Sequence, residues 1–164
     1  MSSDKTKAPG PTVESLARLH SKAVLAVCLA RTRSVHDAED AMQEVFLRAM
    51  RSFGSLRDPT RARAWLLQIA RRACIDQHRR RKKTVPISAQ APGRARLPDP
   101  RIHRLHEALS EIPDNYREVI LLYYMDGRNC AGVADCLGIT CAAVRQRLVR
   151  GRLMLHDLLM EDSR

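Results

Sequence analysis

Residues 129–152 have the sequence NCAGVADCLGITCAAVRQRLVRGR, which predicts two short helices joined by a tight turn. Asn129 is placed to cap a first helix over Cys130 to Leu137, and Gly138 suits the left-handed turn that ends a helix. Thr140 is placed to cap the second helix. Such a pair is a helix-turn-helix, a motif whose second helix enters the major groove of DNA.

The second helix of this motif is rich in arginine. At about 100° per residue, Arg145 and Arg152 share one side, while Arg147 and Arg150 share another. One set suits contacts to base edges and the other suits contacts to phosphates. An ordinary helical hairpin with a solvated arginine face is the alternative interpretation. The candidate DNA-contacting residues are Thr140, Arg145, Gln146, Arg147, Val149, Arg150 and Arg152.

Helical periodicity extends over most of the chain, and almost no stretch alternates apolar and polar residues with period two. Val13 to Thr32 predicts a first helix. A second helix, capped by Asp37, should run to about Ser52 and stop before Gly54. A helix within Leu109 to Met125, started by Ile112 and Pro113, should support the helix-turn-helix.

A proline-rich segment, Thr84 to Pro100, separates two helical blocks and predicts a flexible linker. A third helix, opened by Asp58 and Pro59, should end near Arg81, and ordered helices should resume near Ile102. The predicted fold class is therefore all-α, with two small helical domains joined by the linker. The predicted segments are a disordered leader at 1–11, a first domain at 12–83, the linker at 84–100 and a second domain at 101–160.

The second helix separates into an apolar face and an opposite face that we call the acidic strip. A strip of this kind on a basic protein suggests a protein-binding surface, although the residues alone favour an ordinary solvated helix face. The acidic strip consists of Asp40, Gln43, Glu44 and Leu47, at helical spacing. The predicted core face consists of Met42, Val45, Phe46, Ala49, Met50 and Phe53.

The third helix is basic along one side and ends in five consecutive cations, Arg79 to Lys83. Such a run next to a linker favours phosphate binding over a merely solvated end. Its predicted core residues are Ala62, Trp65, Leu66, Ile69 and Ala73. The residues expected to project the other way are Gln68, Arg71, Arg72, Ile75 and Arg79.

The composition is strongly basic, with 29 Lys and Arg against 18 Asp and Glu and a net charge of +11. This excess favours a polyanionic partner such as nucleic acid over a basic surface that only confers solubility. No stretch of about 20 apolar residues predicts a membrane span, and no apolar run predicts a signal peptide. We therefore expect a cytoplasmic protein whose five cysteines form no disulfide framework.

Three motifs in this order resemble the extracytoplasmic-function (ECF) group of bacterial RNA polymerase sigma factors. The first is DAEDAMQEVFLRA at 37–49, the second is RAWLLQIAR at 63–71, and the third is LSEIP at 109–113. The resemblance covers about 13–83 as region two and about 102–159 as region four. It implies that region two binds the clamp helices of the polymerase and melts and reads the promoter −10 element. Region four would read the −35 element and dock on the polymerase flap.

The resemblance also implies the partners and the site residues. The partners would be core RNA polymerase, promoter DNA and an anti-sigma factor, with no cofactor, no metal and no enzymatic activity. The implied polymerase-binding residues are Asp37, Glu39, Asp40, Gln43, Glu44 and Leu47. The implied −10 residues are Trp65, Gln68, Arg71, Arg72, Ile75, Asp76, Arg79 and Arg80, and the helix-turn-helix residues named above would read the −35 element.

Two other functions fit parts of the sequence. A stand-alone helix-turn-helix repressor or activator would bind duplex DNA without polymerase, and a small nuclease would need carboxylates clustered around a metal. Because the linker is too polar to fix one domain against the other, we expect an anti-sigma protein to wedge between the domains. Control by synthesis, or by oxidation of Cys130, Cys136 and Cys141, remains the alternative.

Overall fold

The computed structural model describes residues 12–32, 34–84 and 99–161, with side chains as far as Arg81 in the second range. Helices alone make up its regular structure in those ranges, which confirms the predicted all-α class. The predicted leader at 1–11 and most of the predicted linker lie outside the described residues. The α-helices are α1 (Val13–Thr32), α2 (Val35–Ser52), α3 (Ala62–Thr84), α4 (Pro100–Glu111), α5 (Asp114–Met125), α6 (Cys130–Leu137) and α7 (Cys141–Glu161).

The first two helices begin and end close to the predicted residues. The bounds of α1 are as predicted, and α2 ends at Ser52 before a short 3₁₀ turn, Phe53–Ser55. The predicted cap of α2 was wrong, because Ser34 rather than Asp37 occupies that position. The Ser34 hydroxyl accepts a hydrogen bond from the backbone N–H of Asp37 at 3.4 Å, so Asp37 lies inside the first turn.

Asp58 caps the segment before α3 as predicted, but it opens a 3₁₀ turn, Pro59–Arg61, and not the α-helix itself. Its carboxylate accepts a hydrogen bond from the N–H of Thr60 at 2.9 Å. The predicted supporting helix, started by Ile112 and Pro113, is α5, whereas Leu109 to Glu111 belong to α4. Pro113 lacks an N–H and restricts Ile112 to an extended conformation, with φ −73° and ψ 136°, which ends α4 and lets α5 begin.

The N-terminal bundle, α1 to α3, buries its core between the three helices. Leu66 and Leu67 of α3 are fully buried, and α3 packs against both α1 and α2. Only Leu66 was predicted as core, because helical spacing turns the next residue away from the predicted core face. Met50, predicted as core, has 51% of its surface exposed. Trp65 and Ile69 are half-buried at the edge of the same core.

The C-terminal bundle, α4 to α7, packs directly against the N-terminal bundle through α5 and α1. Arg117 of α5 is fully buried in this contact, and its Nε donates to the backbone carbonyl of Ala30 at 2.6 Å. Its Nη1 donates to the carbonyls of Leu109 and Ser110, at 3.2 and 3.0 Å. The two bundles are thus docked on each other, contrary to the expectation of unfixed domains, because the buried contact joins them whatever the linker does.

Candidate nucleic-acid and protein interfaces

The helix-turn-helix forms as predicted, with each local cap in place. The Asn129 side chain accepts a hydrogen bond from the N–H of Gly132 at 2.9 Å and starts α6. Gly138 ends it in the left-handed conformation, with φ 65°. The Thr140 hydroxyl accepts from the N–H of Ala143 at 3.1 Å and starts α7. These caps set the ends of α6 and the start of α7, which is the candidate recognition helix.

The outer face of α7 carries most of the predicted DNA-contacting residues. Val144 and Leu148 are buried on the opposite face, which fixes the rotation of the helix about its axis. Arg147 is half-buried at the edge between the two faces. The exposed members of the predicted set are Thr140, Arg145, Gln146, Val149, Arg150 and Arg152.

Arg152 is exposed, but its guanidinium has partners within the protein. It lies 5.6 Å from the ring centre of Tyr123 and 5.5 Å from that of Tyr124. The two rings meet edge to face, with their centres 5.2 Å apart. Cation–π contacts of this kind hold an arginine against its own bundle, so Arg152 differs from Arg145 and Arg150 in having an internal anchor.

The acidic strip lies on the outer face of α2, as its spacing predicts. Asp40 and Gln43 are exposed, and Leu47 has 43% of its surface exposed. Glu44 is half-buried because Arg48 Nε donates to its Oε1 atom at 2.7 Å. This hydrogen bond holds the pKa of Glu44 below its usual range. The strip therefore offers a carboxylate, an amide and an apolar side chain to the outside.

The resemblance implies that Asp37 binds polymerase, but its carboxylate does not lie on the exposed surface with the acidic strip. Its side chain is buried, and Arg81 Nη1 donates to its Oδ2 atom at 2.6 Å, with a second contact from Arg81 Nη2 to Oδ1. Asp37 thus ties the first turn of α2 to the end of α3. Glu39, in contrast, is exposed.

The outer face of α3 is basic and partly apolar. Asp76 accepts a hydrogen bond from Arg48 Nη1 at 2.7 Å, which lowers the pKa of Asp76 and ties it to α2. Trp65 Nε1 donates to the Ser55 hydroxyl at 3.3 Å, which holds the half-buried indole beside the loop before α3. The exposed residues of the predicted −10 set are Gln68, Arg72, Ile75, Arg79 and Arg80.

Arg71 lies in the contact between the two bundles and not on the open face of α3. Its Nε donates to Glu118 Oε1 at 2.8 Å, and Arg31 Nη2 donates to Glu118 Oε2 at 3.0 Å. Glu118 is itself buried. Sequence reasoning missed the role of Glu118, because its partners lie 47 and 87 residues away in the chain.

The cysteines of the described part of the chain are all free. Cys28 and Cys74 are buried together between α1 and α3, and a hydrogen bond between them, with burial, raises the pKa of Cys28. Among the described residues, no group of three His, Cys, Asp or Glu side chains could hold a metal ion. None of the described helices has the length and apolarity needed to cross a bilayer.

Two stretches of the chain match known protein families. Residues 16–84 match the family Sigma-70 region 2, and residues 102–155 match the family Sigma-70, region 4. The N-terminal and C-terminal bundles are therefore the two domains of a sigma-70 family sigma factor.

Curated proteins that are similar in sequence indicate which group of sigma factors the chain resembles. The chain is 33% identical over 156 residues to the ECF RNA polymerase sigma factor SigM of Bacillus subtilis, covering 90% of this chain and 94% of that protein. It is 36% identical over 155 residues to the probable RNA polymerase sigma factor RfaY of Xanthomonas campestris, covering 84% of this chain. The match spans only 38% of the length of RfaY.

Solved structures share the fold. The structure of CnrH in complex with the cytosolic domain of CnrY has a TM-score of 0.65 and 25% identity, covering 92% of this chain and 88% of that chain. The sigma factor RpoE in complex with the anti-sigma factor NepR from Bartonella quintana has a TM-score of 0.66 and 24% identity. That match covers 90% of this chain and 95% of the RpoE chain.

The chain belongs to the ECF group of RNA polymerase sigma factors. Its two bundles are the domains that bind core RNA polymerase and promoter DNA, and the protein acts in promoter-specific transcription initiation. By class it is a regulator of transcription.

Proposed function

We propose that the acidic strip of α2 docks on core RNA polymerase, that the outer face of α3 reads the −10 element, and that α7 reads the −35 element. The observation that carries this proposal is the exposure of an acidic strip on an otherwise basic protein. Asp40, Gln43 and Leu47 are exposed on the side of α2 that faces away from the core, on a chain of net charge +11. In this proposal the protein works in the cytoplasm and has no enzymatic activity of its own.

The strip suits a protein partner better than DNA. Asp40 would repel phosphates, whereas a basic protein surface would attract it. Leu47 adds apolar area beside the charge, which is the usual composition of a contact that excludes water at its centre. Asp37 is left out of this surface because its carboxylate is buried against Arg81.

The outer face of α3 supports the −10 assignment through its mixture of side chains. Arg72 and Arg79 are placed to contact phosphates, while Gln68 and Ile75 offer a polar and an apolar group to unstacked bases. Trp65 provides an aromatic edge at the start of this face. Asp76 is held by Arg48 and, in this proposal, positions Arg48 and α2 instead of contacting DNA.

The exposed part of α7 supports the −35 assignment. Arg145 and Arg150 are exposed within the first three turns after the Thr140 cap, where a recognition helix contacts base edges and the adjacent backbone. Arginine matches the two acceptors of guanine in the major groove, and a bidentate pair is worth about 1–3 kcal/mol of discrimination.

We also propose that an anti-sigma factor sequesters the protein. The similar fold of RpoE was solved with the anti-sigma factor NepR, and that of CnrH with the cytosolic domain of CnrY. Because the two bundles of this chain are already docked, a sequestering partner would bind the docked pair and cover the acidic strip. This proposal differs from the expectation drawn from the sequence, in which the anti-sigma factor wedges between two separated domains.

The polymerase surface is tested by reversing the charge of the strip. The variant Asp40→Lys with Gln43→Lys should bind core polymerase at least about tenfold more weakly, because like charges then face each other. Both side chains are exposed, so helical content should be unchanged. Glu111→Lys, an exposed acid on α4, is the matched control and should bind as the wild type does. Unchanged polymerase binding by the double variant in a pull-down would refute the assignment.

A further inference from the structure

A cleft of about 730 Å³ lies where α3 meets α6, with His20 of α1 in its wall, and its lining includes four arginines. Four arginines face one carboxylate, that of Asp135, across this space. Two further carboxylates pair with these arginines: Asp126 with Arg63 and, at 3.8 Å, with Arg128, and Glu118 with Arg71. We call it the arginine cleft, and its charged or titratable lining consists of His20, Arg61, Arg63, Arg71, Arg128 and Asp135.

Arg63 is the central cation of the cleft and is incompletely satisfied. Only 7% of its surface is exposed, and its Nε and Nη1 atoms have no hydrogen-bond partner among the described residues. Burial lowers the pKa of Arg63, and the nearby charge of Arg128 lowers it further. Buried guanidinium donors without acceptors are rare in folded proteins, because each costs the free energy of its lost hydration.

Arg71 presents a second unsatisfied donor to the same space. Its Nε is bonded to Glu118, but its Nη2 atom is buried and has no hydrogen-bond partner in the described part of the chain. The remaining cations, Arg61 and Arg128, are exposed at the mouth. His20 adds little charge, because burial, followed by repulsion from Arg63 and Arg128, lowers its pKa.

We infer that the arginine cleft binds the oligophosphate group of a small anion, either free oligophosphate or the same group carried by a nucleotide. Guanidinium groups pair with phosphate oxygens through parallel hydrogen bonds, which would satisfy the unpaired donors of Arg63 and Arg71 together. The carboxylates of Asp135, Asp126 and Glu118 offset part of this positive charge, but they leave the buried donors of Arg63 and Arg71 without acceptors, which phosphate oxygens would supply. Because α3 belongs to one bundle and α6 to the other, a bound oligophosphate would also strengthen the docked arrangement.

Calorimetric titration of the whole chain tests this inference. Sodium tripolyphosphate, ATP and sodium sulfate are compared at the same ionic strength. We expect one tripolyphosphate or one ATP to bind per chain, at least about tenfold more tightly than sulfate. Equal affinities for tripolyphosphate and ATP would assign the site to the phosphate group alone, and a higher affinity for ATP would assign it to a nucleotide. Binding of both no stronger than that of sulfate would overturn the inference.

Variants at the mouth of the cleft separate a defined site from diffuse attraction. Arg128→Gln and Arg61→Gln change exposed side chains, so the fold should persist, and each should weaken tripolyphosphate binding by about tenfold. Arg101→Gln removes an exposed arginine of α4 outside the cleft and should leave binding unchanged. Equal weakening by Arg101→Gln would show binding to general surface charge and contradict the proposed site.

Discussion

Glu118 of α5 accepts a hydrogen bond from Arg71 of α3 at 2.8 Å, and this contact joins the C-terminal bundle to the N-terminal bundle. The second carboxylate oxygen accepts from Arg31 of α1 at 3.0 Å. Only 7% of the Glu118 side chain is exposed, so water screens both ion pairs weakly. Arg71 belongs to the residues expected to read the −10 element, and while it is bonded to Glu118 the docked arrangement withholds it from DNA.

Replacing Glu118 with Gln should loosen the contact between the bundles. The amide keeps the size of the side chain but leaves Arg31 and Arg71 as neighbouring cations without a counter-charge, a loss of about 3 kcal/mol for a buried pair. The radius of gyration from small-angle scattering should rise, and the free protein should bind single-stranded −10 DNA more tightly. Glu111→Gln, exposed on α4, is the control. A scattering profile identical to that of the wild type would contradict this role for Glu118.

Arg145→Ala should weaken binding to the preferred −35 sequence by about 1–3 kcal/mol while changing binding to scrambled templates little. Arg147→Ala and Arg150→Ala should weaken binding to both templates alike, as the loss of a phosphate contact does. Competition assays with the polymerase holoenzyme measure the two losses. Equal losses on both templates for all three variants would show that a different face of α7 reads the bases.

Replacing each of two helical glycines with alanine should change the Tm in opposite directions. A Cβ atom at Gly151 would lie 2.7 Å from Ile120 Cδ1 and 3.3 Å from Tyr116 Cβ in the packed contact between α5 and α7. Overpacking there should cost about 1–3 kcal/mol, which exceeds the gain of about 1 kcal/mol in helix propensity. Thermal denaturation should therefore show a lower Tm for Gly151→Ala.

At Gly132 the nearest atom to an added Cβ is Arg128 Cδ, at 3.0 Å. The Arg128 side chain is 52% exposed and its ion pair with Asp126 is long, at 3.8 Å, so it can shift and the helix-propensity gain of about 1 kcal/mol should dominate. Gly132→Ala should therefore raise the Tm. A lower Tm for Gly132→Ala would mean that Arg128 is held in place more firmly than its exposure indicates.

Stability should fall as the pH is lowered from 7.5 to 5.5. Burial lowers the pKa of His20 and of His106 in the folded state, with nearby cations adding to the effect. The unfolded chain therefore binds more protons just below its histidine pKa of about 6.5, so protonation favours unfolding there. Glu44 and Asp76, whose pKa values are lowered by Arg48, lose their contribution only at more acidic pH.

Urea denaturation at the two pH values measures this loss. The variant His20→Gln with His106→Gln should show a smaller difference in unfolding free energy between pH 7.5 and 5.5 than the wild type does. His78→Gln, which changes an exposed side chain of α3, should keep the full difference. The same pH dependence in the double variant as in the wild type would exclude these histidines as its source.

Features that depend on short-range interactions could be predicted from the sequence alone. The bounds of α1, the left-handed turn at Gly138 and the cap at Thr140 all follow from residues within one helical turn. The exposure of Asp40 and Leu47 could also be predicted from the sequence, since helical spacing alone places them opposite the core face of α2.

Burial and ion pairing between residues far apart in the chain could be read only from the packing of the helices. Asp37 and Arg71 have the charge and spacing of surface residues, but partners 44 and 47 residues away hold them inside contacts between helices. Met50 fits the core face of α2 by periodicity, yet no neighbouring helix covers it fully. The arginine cleft likewise combines side chains from α1, from α3 with the turn before it, and from α6 with the loop before it. Helical periodicity specifies which residues share a face, whereas the packing of one helix on another decides which faces are buried and which charges meet.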